Sequence, residues 1–164
     1  MTPQSITIKP ASLGSISAAT LRTEDLLPTF LSELEWQVNR NGNYFSLPEN
    51  FAQRDNLNSL IGEAQDCFSP DGSEIDPDKE DIAQELVNEA LPDALGTFAP
   101  PYCYFGAHPG DGADIGYWPS HDEIDELEHY ENPDRDQSAD YKTVNDHGNV
   151  TVYAADGTVL LGLV

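Results

Sequence analysis

Pro100-Pro101-Tyr102-Cys103-Tyr104-Phe105 divides the chain: apolar residues recur at helical spacing before it and gather in aromatic, strand-like runs after it. Upstream, Leu27, Phe30, Leu31, Leu34 and Val38 predict a helix capped by Thr23 or Asp25. It should start near Asp25, which keeps Pro28 in the first turn, and end at Asn39 to Asn43. A second helix is expected from Pro48 to Cys67 through Phe51, Leu57, Leu60, Ile61 and Ala64. A third, from about Lys79 to Leu91, would bury Ile82, Leu86, Val87, Ala90 and Leu91 until Pro92 kinks or stops it. A short strand from Ser5 to Lys9 and a small-residue loop from Ala11 to Ala19 precede them.

Downstream, Tyr102 to Phe105 and Ile115 to Trp118 read as strands joined by a loop whose Gly106, Gly110 and Gly112 supply positive φ. A helix from Ser120 to about Glu131 has capping-box spacing at Ser120 and Glu123 and turns Ile124 and Leu127 inward. Val150 to Tyr153 and Val159 to Val164 flank Asp156-Gly157, a pair suited to a type I′ hairpin turn. These elements predict an α+β fold in one domain over 1–164, mainly helical over 1–99 and sheet-forming over 100–164 with one inserted helix. An antiparallel sheet of about four strands in the C-terminal half should pack against the N-terminal helices.

Charge is the strongest functional signal. Residues 61–140 hold 22 of the 30 Asp and Glu, and only Lys79 and Arg135 oppose them. Residues 1–60, with six acidic and four basic residues, are nearly balanced, so the acidity is local and adaptation to high salt, which would spread it, fits poorly. Asp81, Glu85 and Glu89 recur every fourth residue, a helical row with steps of roughly 6 Å, close to the spacing of phosphates along a nucleic-acid strand. Glu74, Asp76 and Asp78 lead into it, and Asp122, Glu123 and Glu126 mark the Ser120 helix. A solvated helix face is the plain alternative for one such stripe. Like charges at i,i+4 spacing lower helix stability, so two uncompensated helices point to a basic partner.

This charge excludes direct nucleic-acid binding, which needs Lys and Arg to displace counterions from phosphates. The aromatic cluster Tyr102, Tyr104, Phe105, Tyr117 and Trp118 is therefore read as core with an exposed edge, and Trp36 and Tyr44 likewise as core. His108, Asp111, Asp114, His121 and His147 could ligate a metal in a small hydrolase, but no spacing matches a catalytic or metal motif. Capping of turn amides by His108 and Asp111 is the structural alternative. No catalytic residue, cofactor or metal is expected. Cys67 and Cys103 lack C-x-x-C context and should be reduced, with one disulfide as the alternative. No leader or membrane-spanning run is visible, and a cytoplasmic location is expected.

Three stretches carry a resemblance: Leu21-Arg22-Thr23-Glu24-Asp25-Leu26-Leu27-Pro28-Thr29-Phe30, the run from Pro100 to Trp118 containing Tyr104-Phe105-Gly106-Ala107-His108-Pro109-Gly110-Asp111-Gly112, and Val144-Asn145-Asp146-His147-Gly148-Asn149-Val150-Thr151-Val152-Tyr153. About a third of the chain thereby resembles small acidic accessory proteins encoded on phages and plasmids. The resemblance implies a setting of conflict with bacterial defence, in which acidic anti-CRISPR and anti-restriction inhibitors present carboxylates to a DNA-binding groove. It brings no catalytic residues. The expected partner is a basic nucleic-acid-binding protein or nucleoprotein complex, such as a CRISPR effector or restriction enzyme. An acidic protein-interaction module without DNA mimicry is the alternative.

Overall fold

The computed structural model describes residues 6–164 and shows a mixed α+β fold. The chain gathers into two compact units, Met1–Ala99 with Phe105–Tyr117, and Pro100–Tyr104 with Trp118–Val164.

In the first unit, α1 (Thr23–Arg40) presents Leu26, Leu27, Phe30, Leu31 and Leu34 to the core. Burying one such side chain contributes about 1.5–3 kcal/mol, so this stripe anchors the unit. The helix starts earlier than expected, at an Arg22 N-cap without a side-chain cap, which places Pro28 beyond the first turn. Thr29 Oγ1 donates to Asp25 O at 2.8 Å, an acceptor in the turn that Pro28 interrupts. A single-turn helix α2 (Gly42–Phe45) and a 3₁₀ turn (Pro48–Asn50) lead into α3 (Phe51–Gln65), close to the predicted second helix.

The third predicted helix runs through Pro92 instead of stopping there. A 3₁₀ turn (Pro77–Lys79) opens α4 (Glu80–Glu85), Leu86–Ala90 forms a π turn, and α5 (Leu91–Gly96) continues it. A proline ring clashes with the carbonyl four residues back, here that of Asn88, and brings no N–H to the ladder. Widening the preceding turn, where Leu91 N donates to Leu86 O, absorbs that conflict. Leu86, Val87, Leu91 and Leu95 are buried as a result, whereas Ile82, expected inside, is 43% exposed.

The strand predicted at Ser5 to Lys9 is absent from its described residues, and Ser5 lies outside them. Buried Asn41 explains why: its Oδ1 accepts from Lys9 N at 2.7 Å and its Nδ2 donates to Lys9 O at 3.3 Å, so a side chain takes the place of a strand partner. The first strand, β1 (Gly14–Ser17), instead falls in the predicted loop and pairs antiparallel with β3 (Asp111–Pro119), whose other neighbour is β2 (Cys103–His108). Phe105 joins this sheet to α1 through edge-on contact with Phe30, ring centroids 5.3 Å apart, and meets Tyr117 at 5.0 Å. Trp36, read as core, is 52% exposed under the Arg40 guanidinium.

The second unit contains α6 (His121–Glu126) and strands β4 (Glu128–His129), β5 (Tyr141–Val144), β6 (Val150–Tyr153) and β7 (Val159–Leu163), in that sheet order. The β4–β5 pair is parallel and the others antiparallel, around Ile124, Val152 and Leu161. Thus α6 is half its predicted length, and Ser120, its N-cap, makes no side-chain capping bond. The β6–β7 hairpin is where the sequence placed it, with a different turn. Gly157 N donates to Ala154 O at 2.9 Å and only Gly157 has positive φ, a three-residue loop rather than type I′. Gly148 repeats this arrangement between β5 and β6, its N–H donating to Asn145 O at 2.9 Å.

Gly106, Gly110 and Gly112 do not have positive φ; in the sheet of the first unit the indispensable glycine is Gly116. It is buried against β1, and a Cβ there would overlap the Gly14 carbonyl. Gly116→Ala should destabilise the first unit by about 1–3 kcal/mol through forced separation of β1 and β3. A lower urea midpoint, with faster amide exchange in β1, is the expected result.

Candidate protein-interaction surface

In the first unit, Glu85 of α4 and Glu89 of the π turn meet Glu63 of α3 and Asp93 of α5 around a groove of about 310 Å³. Ile82, Leu86 and Ala90 complete its lining, and no Lys or Arg contributes. All four carboxylates are exposed. The groove is therefore an anionic rim around an apolar floor. Asp81, the third member of the predicted row, is exposed but does not line the groove.

Asp81 and Glu85 both belong to α4, whereas Glu85, Glu89 and Asp93 follow the run through the π turn into α5. Asp93 was missed because the third helix was expected to reach only about Leu91, with Pro92 kinking or stopping it, although the spacing Glu85, Glu89, Asp93 is present in the sequence. Glu63 was seen as part of the acidic run, but its place opposite Glu85 depends on how α3 packs, which local spacing does not encode.

The preceding loop behaves differently. Glu74 lines a separate cleft of about 710 Å³ that includes Arg22, Glu24 and Glu80. Asp76 is half-buried and structural, its Oδ1 accepting from Asp78 N at 3.0 Å to cap the 3₁₀ turn, while Asp78 is exposed. Lys79, the cation of this region, donates Nζ to the Asp66 carbonyl oxygen. Asp71 holds the loop together, its Oδ1 accepting from Ser69 Oγ at 2.7 Å and from Ser73 Oγ and N at 2.8 and 3.1 Å.

In the second unit, Asp122, Glu123 and Glu126 are exposed on α6 together with Asp125. The cations of this unit are turned inward, and only Lys142 reaches an α6 carboxylate, its Nζ lying 3.9 Å from Asp125 Oδ1. Lys142 is 6% exposed and donates Nζ to the Ile124 and Asp125 carbonyls at 2.9 and 2.8 Å, closing the C-terminal end of α6. A cation there complements the helix dipole. Arg135 is 8% exposed, stacked 4.2 Å from the Tyr141 ring, which in turn stacks on Tyr153 at 5.1 Å. Eleven carboxylates thus surround a unit whose only Lys and Arg are both buried.

His108 and Asp111 are placed as turn formers, whereas Asp114 is half-buried in β3 and His121 is exposed at the start of α6. His108 Nδ1 accepts from Gly110 N and Asp111 Oδ1 from Ala113 N, each at 3.0 Å, across the Pro109-Gly110 turn. His147 N is held by Asn145 Oδ1 at 2.9 Å. Among the described residues no group of three or more His, Cys, Asp or Glu is arranged to hold a metal ion. Cys67 and Cys103 are free, and burial pushes the Cys103 thiol up to about 11. No described helix is long and apolar enough to cross a membrane.

No protein-family model, curated protein or solved structure matches the chain.

Bonds from the Ser69 hydroxyl, then from Ser73, hold the Asp71 carboxyl down to about 2. A carboxyl whose folded value lies below its unfolded value near 4 contributes stability that is present above pH 4 and lost as pH falls toward 2. Carboxyl NMR titration should show Asp71 staying ionised on acidification until about pH 2. Asp71→Asn should remove that loop-ordering step, read as loss of the pH-dependent shift change at Ser69 and Ser73.

Proposed function

We propose that the protein is a non-enzymatic inhibitor of a bacterial defence system, an acidic nucleic-acid mimic that occupies the Lys/Arg-lined DNA groove of a CRISPR effector or restriction enzyme. The observation that carries this reading is the groove edged by Glu63, Glu85, Glu89 and Asp93 without a neighbouring cation. Carboxylates at helical spacing occupy the role that phosphates have toward Lys and Arg, and opposite fields accelerate encounter. Glu74, Asp78 and Asp81 add to the charge of the first unit, the α6 carboxylates Asp122, Glu123 and Glu126 make the second unit acidic in its own right, and Asp76 serves the loop. The resemblance to phage and plasmid accessory proteins supports the defence setting, and the host cytoplasm is the corresponding location.

One observation favours a second reading, an acidic docking module without mimicry. The groove floor is apolar, with Ile82 43% exposed between carboxylates, and DNA offers no such feature. A partner helix with Lys or Arg flanking an apolar residue would use both parts.

The experiment is inhibition of target-DNA binding by a purified complex, with salt varied. Combined Glu85→Lys, Glu89→Lys and Asp93→Lys should weaken inhibition by at least roughly tenfold, about 1.4 kcal/mol, chiefly through slower association. Unchanged inhibition by this variant removes the groove from the contact surface. A complex that forms equally well at high salt but is broken by Ile82→Asp supports the docking module instead.

A further inference from the structure

The two ends of the β4-β5-β6-β7 sheet differ in kind. At one end β4 is two residues long and carries Glu128, a short, charged edge of the sort that blocks further pairing. At the other, β7 bonds β6 on one side and has no neighbour on its other side among the described strands. Val159, Leu160, Leu161, Gly162 and Leu163 include no charge and no proline, so the usual protections of an edge strand are missing. The register shift between Val152 and Tyr153 lies at the Val159 end and leaves Leu161–Leu163 in regular register with Val152, Thr151 and Val150. Val159 is 59% exposed and Gly162 is also exposed.

We propose that β7 is a strand-addition site, at which an extended cationic segment of a partner protein pairs with Leu161–Leu163 as a fifth strand. Charge complementarity selects this occupant. The unit carries eleven carboxylates, and its two cations are committed internally, Lys142 to the α6 carbonyls and Arg135 to the Tyr141 ring. A second copy of the chain would bring the same sign of charge to the edge, whereas a segment alternating apolar residues with Lys or Arg meets both needs. Its apolar row would extend the face on which Val152 and Leu161 are buried, and its cations would answer the net negative charge of the unit. This inference rests on the reading that the partner is basic and adds how that partner is held: main-chain bonds supply the hold and charge the selection.

The test uses the full chain and a synthetic peptide of alternating Val and Lys, about six residues long. Three controls accompany it: Lys replaced by Ser, the same composition in scrambled order, and N-methyl groups on alternate amides in each of the two registers. The expected result is binding of the alternating Lys peptide, with exchange of Leu161–Leu163 amides slowed at least tenfold. One N-methyl register, the Ser peptide and the scrambled peptide should each lose at least tenfold in affinity. If both N-methyl registers bind as well as the parent and shifts fall on α4 or α6 rather than β7, the strand site is overturned while the basic-partner reading stands. Equal binding of the Ser peptide overturns the cationic occupant. Concentration-dependent dimerisation that protects β7 amides assigns the edge to a second copy and overturns the proposal. Failure of every cationic peptide to bind overturns both the strand site and the reading beneath it.

Discussion

Pro92 cannot sit in a uniform α-helix, and the first unit depends on how that constraint is met. Ending the helix at Leu91 would take Ala94 and Leu95, both buried, off the element that delivers them to the core. Widening one turn over Leu86–Ala90 keeps the run going to Gly96 and keeps Leu86, Val87, Leu91 and Leu95 on the inner side. The energetic comparison is one-sided. A proline in a regular helix interior costs about 3 kcal/mol or more, while loss of buried aliphatic side chains would cost about 2–5 kcal/mol each, so the π turn is the cheaper distortion. The continued run also carries Asp93 to the groove that Glu85 and Glu89 line, and Asp81 is not part of that lining.

Carboxylate density of this kind is tolerable only where the core beneath it does not rely on surface ion pairs. The core of the first unit is apolar and aromatic, with α1, the α4-to-α5 run and Phe105 in mutual contact. The smaller second unit has fewer buried apolar residues and uses its cations structurally. Lys142 donates to the Ile124 and Asp125 carbonyls at the end of a six-residue helix, and Arg135 extends the Tyr141–Tyr153 stack. Holding both cations inside, with Lys142 Nζ 3.9 Å from the exposed Asp125 carboxylate, leaves the outside acidic, so the surface charge follows in part from how a small unit stabilises itself.

The sequence disclosed whatever was encoded locally. The apolar stripe of α1, the helix from Phe51, the strand character around Phe105 and Tyr117 and the β6–β7 hairpin all follow from period and turn residues within a short window. Features set by distant partners were not legible. Asn41 bonding Lys9 replaced a predicted strand, the close approach of Gly14 to Gly116 made a strand out of a predicted loop, and β4 pairing with β5 shortened α6. The acidic surface was half readable. Its charge is a matter of composition, but its grouping depends on the helix continuing past Pro92 to Asp93 and on Glu63 packing across from it.

The groove's two components act on different steps of association, and that separation bears on which partner it suits. Exposed carboxylates act at long range and are screened within about 8 Å at physiological salt, so they set encounter rate and salt dependence. The Ile82, Leu86 and Ala90 floor acts only on contact, by excluding water, and so sets how long a complex lasts. A lining that is low in dielectric also strengthens any charge pair formed at its rim. A pure phosphate replica would need the rim alone. The apolar floor adds something that a cationic groove built for DNA does not demand, and it favours a partner surface in which Lys or Arg borders an apolar side chain.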